Sequence, residues 1–202
     1  MDIDERLRIA RESLSNTAAE ITRLVEYIDS IEIDTIVDLL LGCRCKVLVS
    51  GVGTSAAAAR KTAHSLSCLG VAASFLSPTD ALHGASGSIK TGDILIVFSK
   101  GGQSREINEL LPIAHRRGAI SIATTEDATN PLGRTANHLL RVQVKQESDR
   151  AGYLATASTL AAIAAWDSIC SVLMEDQGFS PDQFHLTHPG GDVGRKLAER
   201  ES

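Results

Sequence analysis

Lys46-Val-Leu-Val-Ser-Gly-Val-Gly-Thr-Ser-Ala-Ala-Ala-Ala-Arg60 reads as a buried strand, a glycine turn and the start of a helix. Residues 47–50 carry no polar alternation, the mark of a strand covered on both faces in a parallel sheet. Asp93-Ile-Leu-Ile-Val-Phe-Ser-Lys-Gly-Gly-Gln-Ser-Arg-Glu-Ile107 repeats the design. Each unit ends in a helix N-terminus, where unpaired backbone N–H groups and a partial positive charge favour an anion. Glycines let that anion approach the backbone, and Ser and Thr hydroxyls add donors. The pair of loops points to a phosphorylated ligand.

Working outward, helical spacing predicts helices over 4–29 and 34–42, the second started by Asp34 and stopped by Gly42. Helices follow at 55–69, 103–117 and 154–176, the last rich in alanine. Strands are expected at 47–50, 72–76, 94–98, 119–124 and 139–144. Residues 78–87 read as a loop or short helix, and Asn130-Pro-Leu-Gly as a turn opening a short helix. The tail, 179–195, has little periodicity. Strands alternating with helices predict an α/β chain with a parallel sheet covered on both faces.

Composition narrows the function. The chain has 202 residues, enough for one α/β domain, with net charge −5 and 3% aromatics. That charge disfavours nucleic acid and anionic membrane as partners. So few aromatics disfavour a base-stacking platform. Cys43, Cys45, Cys68 and Cys170 lack zinc-site spacing, so no metal is expected and free thiols fit a cytoplasmic protein. Met-Asp-Ile-Asp-Glu-Arg is too charged for a signal peptide. No run of 18 apolar residues is present in the sequence, so no membrane span is expected.

Gly51-Val-Gly53 also opens dinucleotide folds, where a third glycine would stand at Ala56. The second strand ends in Leu76-Ser77-Pro78 and offers no acid for a ribose, so no nicotinamide cofactor is expected. A tight turn with no ligand is the plain alternative. Ser99-Lys-Gly-Gly-Gln-Ser104 is more specific, although Ser104 also suits an ordinary N-cap. Lys100 and Arg105 are available to add charge, and each also suits a solvated position. Moving a proton between adjacent carbons of a sugar needs a base, and a polar group must shuttle protons between the oxygens. His83, Glu106, Glu147 and His188 suit those roles. Each has a plainer reading: Glu106 as a first-turn carboxylate, Glu147 as part of the solvated loop Lys145-Gln-Glu-Ser-Asp-Arg150. His64, His115, His138 and His185 read as surface or structural.

The two loops resemble those of the sugar isomerase (SIS) domain. Pro78-Thr-Asp-Ala-Leu-His-Gly84, Glu147, Thr156-Ala-Ser-Thr159 and Leu186-Thr-His-Pro-Gly-Gly-Asp-Val-Gly-Arg-Lys196 look like the arabinose 5-phosphate isomerase family within it. The resemblance covers roughly residues 15–200. It implies a flavodoxin-like three-layer α/β/α sandwich with a five-stranded parallel sheet. It implies one SIS domain over 1–202, with N-terminal helices over 4–42, a core over 46–176 and a tail over 179–202. Glu147, Glu106, His188 and His83 take the family's acid and histidine positions. Gly53, Thr54, Ser55, Ser99, Gly101, Gly102, Ser104, Thr156 and Ser158 take its phosphate- and sugar-binding ones. It further implies a homotetramer, or at least a homo-oligomer, with sites at subunit boundaries, and no cofactor.

The chain departs from that pattern. The family's Gly-Met-Gly-Lys-Ser-Gly has Thr54 at its lysine and Ala56 at its last glycine here. Ser-Asn-Ser-Gly-Glu-Ser becomes Ser99-Lys-Gly-Gly-Gln-Ser104. Thr donates a hydrogen bond but no charge. The family's CBS modules have no counterpart in these 202 residues. The main expectation is an aldose–ketose isomerase acting on a phosphorylated pentose or related sugar. A sugar-phosphate sensor without turnover is the alternative, and a lyase of phosphorylated amino sugars is a third reading.

Overall fold

A computed structural model of the protein describes residues 1–188. Strands β1 (Val47–Gly51), β2 (Ala73–Phe75), β3 (Ile94–Phe98), β4 (Ile120–Thr125) and β5 (His138–Arg141) form a parallel sheet. Their order is β2-β1-β3-β4-β5. The expected five-stranded parallel sheet between helices is what the chain forms. Helices α1 (Ile3–Tyr27), α2 (Ser30–Gly42), α3 (Thr54–Cys68) and α7 (Ala157–Asp176) cover one face. Helices α4 (Pro78–Leu82), α5 (Arg105–Arg116) and α6 (Pro131–Thr135) cover the other. A short helix, α8 (Pro181–Thr187), follows in the segment read as aperiodic.

Successive residues of one strand feed different layers. Ile94, Ile96 and Phe98 pack with α3 and α7, while Leu95 and Val97 pack with α5. Both faces are therefore apolar, which is why the sequence shows no alternation. Trp166 of α7 is fully buried and packs on Phe98, with ring centroids 6.1 Å apart. Its Nε1–H donates to Thr124 Oγ1 at 2.8 Å. Burying that indole is worth about 5 kcal/mol, and it backs the ends of β3 and β4. Helix α7 is long and apolar enough to cross a bilayer by composition. Its Ala157, Ala161, Ala165, Trp166, Ile169 and Leu173 are instead in the core.

Boundaries differ from expectation where a side chain competes for backbone. Helix α2 starts at Ser30, because the Asp29 carboxylate accepts from Ile31 N at 2.8 Å and Glu32 N at 3.1 Å, ahead of Asp34. Strand β5 ends at Arg141, short of the expected 144. Beyond it Gln143 N donates to Tyr27 Oη at 2.9 Å, so helix α1 takes over from the ladder. Helix α7 starts at Ala157, after the expected 154. Segment 78–87 divides into α4, capped by Ser77 and started by Pro78, and a 3-10 turn over Ala85–Ser88.

One topological fact positions the site. β1 and β3 are neighbours, yet the chain leaves β1 into α3 on one layer and β3 into α5 on the other. The loops at their C-terminal ends diverge, and that switch point opens a crevice.

Candidate active site

The crevice holds a cavity of about 110 Å³. Thr54 and Ser55 reach it from the first loop, Ser99 and Lys100 from the second. Thr124 and Thr125 come from the end of β4, Ser158 and Thr159 from the first turn of α7. Phe98, Ala58, Val142, Ala155 and Ala162 complete the wall. Lys100 is the charged residue of this lining; the other polar groups are hydroxyls.

Three helices begin here. Neither α3 nor α5 has a side-chain cap on its first N–H groups. Gly53 precedes α3 with φ +59°, a conformation natural to glycine. Ser104 precedes α5, but its Oγ lies 3.1 Å from Ser99 Oγ and makes no cap bond. Those two helix starts keep donors open for an anion.

The third start is already filled. Glu147 Oε2 accepts from Thr156 N at 2.9 Å, Ser158 N at 3.1 Å and Thr156 Oγ1 at 3.3 Å. Glu147 Oε1 accepts from Lys100 Nζ at 2.9 Å. The Glu147 side chain is 7% exposed and that of Lys100 42%. Burial pushes the carboxyl up, but the Lys100 ammonium and the Ser158 donors outweigh it and hold the group at about 2. Desolvation alone would raise this carboxyl toward neutral pH. The structure reverses that direction, because the carboxylate sits on a helix N-terminus beside a cation.

Helix α1 holds the segment that carries Glu147. Buried Glu20 pairs with Arg23 at 2.6 Å and accepts from Lys145 N at 2.9 Å. Thr17 Oγ1 meets Ser148 Oγ at 2.5 Å. Arg150 pairs with Glu5 and Glu12, both at 3.2 Å. Between α1 and this segment lies a wider polar cavity of about 670 Å³, lined among others by Ser13, Asn16, Lys100, Lys145, Gln146 and Glu147.

The predicted site residues are only partly brought together. Thr54, Ser55, Ser99 and Ser158 line the inner cavity. Gly53 and Ser104 immediately precede α3 and α5, and Thr156 holds Glu147. Gly101 and Gly102 form the turn of the second loop, where Gly102 has φ +65°. Glu106 is half-buried in the first turn of α5 and lines neither cavity. His83 is exposed at the end of α4 and lines neither. His188 follows α8, beside Thr187, whose Oγ1 donates to Cys68 O at 3.2 Å. Cys68 ends α3, a helix of 15 residues and roughly 22 Å from its start at the cavity. Within one chain, His188 and His83 are therefore not at the cavity with Glu147. The rest of the His188-Pro-Gly-Gly motif lies outside the described residues.

Sequence reasoning left Lys100 as a free option and missed Thr124, Thr125 and Thr159. A polar pair closing an apolar strand at Thr124-Thr125 is a signal that points to a strand C-terminus facing a ligand. Among the described residues no three His, Cys, Asp or Glu side chains group to hold a metal ion. Cys170 is buried, which pushes its thiol up to about 11 and leaves it inert.

Comparison with known proteins gives a consistent family. The model of the SIS domain matches residues 39–169. Arabinose 5-phosphate isomerase KdsD of Yersinia pestis is 33% identical over 97% of this chain and 57% of its own length. A candidate sugar-phosphate isomerase from Listeria monocytogenes has a crystal structure with TM-score 0.92 and 36% identity, covering 94% of this chain and 100% of that one. An E. coli CFT073 protein solved in complex with arabinose 5-phosphate has TM-score 0.89 and 25% identity, again covering 94% and 100%. The chain spans about half the length of the curated relatives it matches.

Proposed function

This chain belongs to the SIS domain family, and from that premise we propose that it is a phosphosugar isomerase, interconverting an aldose phosphate and a ketose phosphate. Arabinose 5-phosphate and ribulose 5-phosphate are the pair that its relatives suggest. The observation that carries the reading is the hydroxyl-lined cavity between two uncapped helix starts, with a carboxylate at its edge. Phosphate binds at the starts of α3 and α5, held by Ser55, Ser99, Ser104 and backbone N–H groups. The sugar carbons then extend past Lys100 toward Glu147. Glu147 takes the proton from the carbon next to the carbonyl, leaving an enediolate, and returns it to the neighbouring carbon. A second polar group moves the proton between the two oxygens.

In this reading residues 1–202 form one SIS domain that works as a homo-oligomer. Ile3, Leu7, Leu14 and Val25 are exposed on α1 and fall within about 40° of one another around the helix. Exposed Tyr153 and Leu154 precede α7, and Leu160 is exposed within it. A second copy would cover such a stripe. Assembly also offers His83, Glu106 and His188 a route to a neighbouring copy's cavity as proton shuttles.

One feature favours the sensor alternative. The carboxylate is clamped by a cation and a helix start, which suits binding without turnover. Proton NMR of the pure protein with ribulose 5-phosphate and a panel of hexose and pentose phosphates separates the readings. Appearance of arabinose 5-phosphate supports the isomerase. Tight binding with no interconversion of any sugar supports the sensor.

A further inference from the structure

Lys100 belongs to both cavities, and Glu147 only to the outer one. Its ammonium therefore marks the boundary between the phosphate seat and the carboxylate. It is the one charged side chain lining the inner cavity among the described residues. A dianion placed there would face hydroxyls, helix N-termini and this single cation.

The loop is built to aim it. The Lys100 carbonyl accepts from Thr125 Oγ1 at 2.7 Å and from Glu126 N at 3.0 Å, so its backbone is pinned to the end of β4. The stem is flexible and 42% exposed, and an ammonium has three donors, of which Glu147 takes one. Without Lys100, Glu147 Oε2 still keeps its donors from Thr156 and Ser158. The ammonium can leave without stranding the carboxylate.

We infer that Lys100 is the anion-binding cation of this site, and that it passes from Glu147 to the ligand's phosphate when a sugar phosphate binds. The transfer couples two events. It neutralises the phosphate, and it releases Glu147 Oε1 toward the sugar carbons. The locked carboxylate is then the resting state, and the ligand's own charge undoes the lock. This rests on the phosphosugar reading for its substrate, but the cation's role needs only a phosphate.

The test measures binding by calorimetry for the full chain, with inorganic phosphate and with ribitol 5-phosphate, which has no carbonyl and cannot turn over. Variants are Lys100→Met, Lys100→Gln and Lys100→Arg, plus Thr54→Lys within Lys100→Met, because Thr54 lines the same cavity. Losing a charge-assisted bond predicts affinity about 10- to 100-fold weaker for both neutral variants and both probes. Arg should retain most of it, and Thr54→Lys should restore at least about tenfold. The unmodified protein should bind ribitol 5-phosphate more tightly as pH rises through the second pKa of a phosphate monoester, about 6, and Lys100→Met should lose that preference. A purely structural Lys100 would leave this pH dependence in place. Unchanged affinity in both neutral variants overturns the inference, and so does an unmodified protein that binds neither probe. Phosphate binding that depends on Lys100, with no binding of ribitol 5-phosphate, upholds Lys100 and counts against the pentose reading alone.

Discussion

Loops 51–55 and 99–104 have the same layout in sequence and different support in the fold. The first is held by its own helix. Ala56 N donates to Gly53 O at 3.0 Å, and a Cβ on Gly51 would meet Ser55 O at 2.7 Å. The second is braced from outside. Asn130 Oδ1 stands 2.0 Å from where a Cβ on Gly102 would lie. The same side chain donates to Thr125 Oγ1 at 2.7 Å and accepts from Gly133 N at 2.8 Å. Asn108 Nδ2 donates to Gly102 O at 2.9 Å. The difference teaches that Gly53 serves conformation alone, whereas Gly102 serves conformation and close approach together. The braced loop is also the one that carries Lys100, where a fixed direction matters most.

The sharpest way to break this comparison is at the glycines. Gly102→Ala must both hold φ +65° and displace Asn130, so unfolding free energy should fall by about 3 kcal/mol or more. Gly53 has φ +59° but open space around it, so Gly53→Ala should cost only about 1 kcal/mol. Urea denaturation of the two variants checks the ranking, and equal losses would dissolve the distinction.

Acid sensitivity tests the clamp on which the braced loop closes. The Glu147 carboxyl is held at about 2 against an ordinary value of 4.5. A lowered folded-state pKa stabilises above the unfolded value, and that contribution is lost as pH falls from 4.5 toward about 2. The full contribution is about 3 kcal/mol. Thermal melts of Glu147→Gln should lack that share of the acid-induced loss. A variant whose melting temperature declines as steeply as the unmodified protein's over that range would contradict the clamp.

A smaller effect than that of Gly102→Ala is expected from the brace itself. Asn130→Ala removes the Thr125 and Gly133 bonds and the wall behind Gly102, for about 1–2 kcal/mol. Asn130 lines neither cavity, yet ribitol 5-phosphate affinity should also weaken in Asn130→Ala. Unchanged affinity would mean the brace does not aim the site.

The sheet was legible because 47–49 and 94–98 are unbroken apolar runs, the pattern that buried parallel strands leave. The ends of elements were less so. Asp29 and Asp34 are both good caps, and it is the Asp29 carboxylate that takes Ile31 N and Glu32 N. Gln143 left the ladder for Tyr27, 116 residues away in the chain. The hydroxyls of the first and second loops were readable from the glycine spacing. The state of Glu147 was not, since its partner Lys100 is 47 residues distant and its helix start was misplaced. Nor did sequence reveal that His83 and His188 lie away from the cavity, because the path of the chain after α3 decides that.

The most direct test of the central claim, that Glu147 moves a carbon-bound proton at the junction of these two loops, is deuterium exchange. Ribulose 5-phosphate in D₂O should take up deuterium at the carbon next to its carbonyl in the presence of the unmodified protein. Glu147→Gln keeps the shape of the side chain and should slow that uptake by about 100-fold or more, while ribitol 5-phosphate still binds. Exchange at the unmodified rate in Glu147→Gln, or none at all with the unmodified protein, would contradict the account.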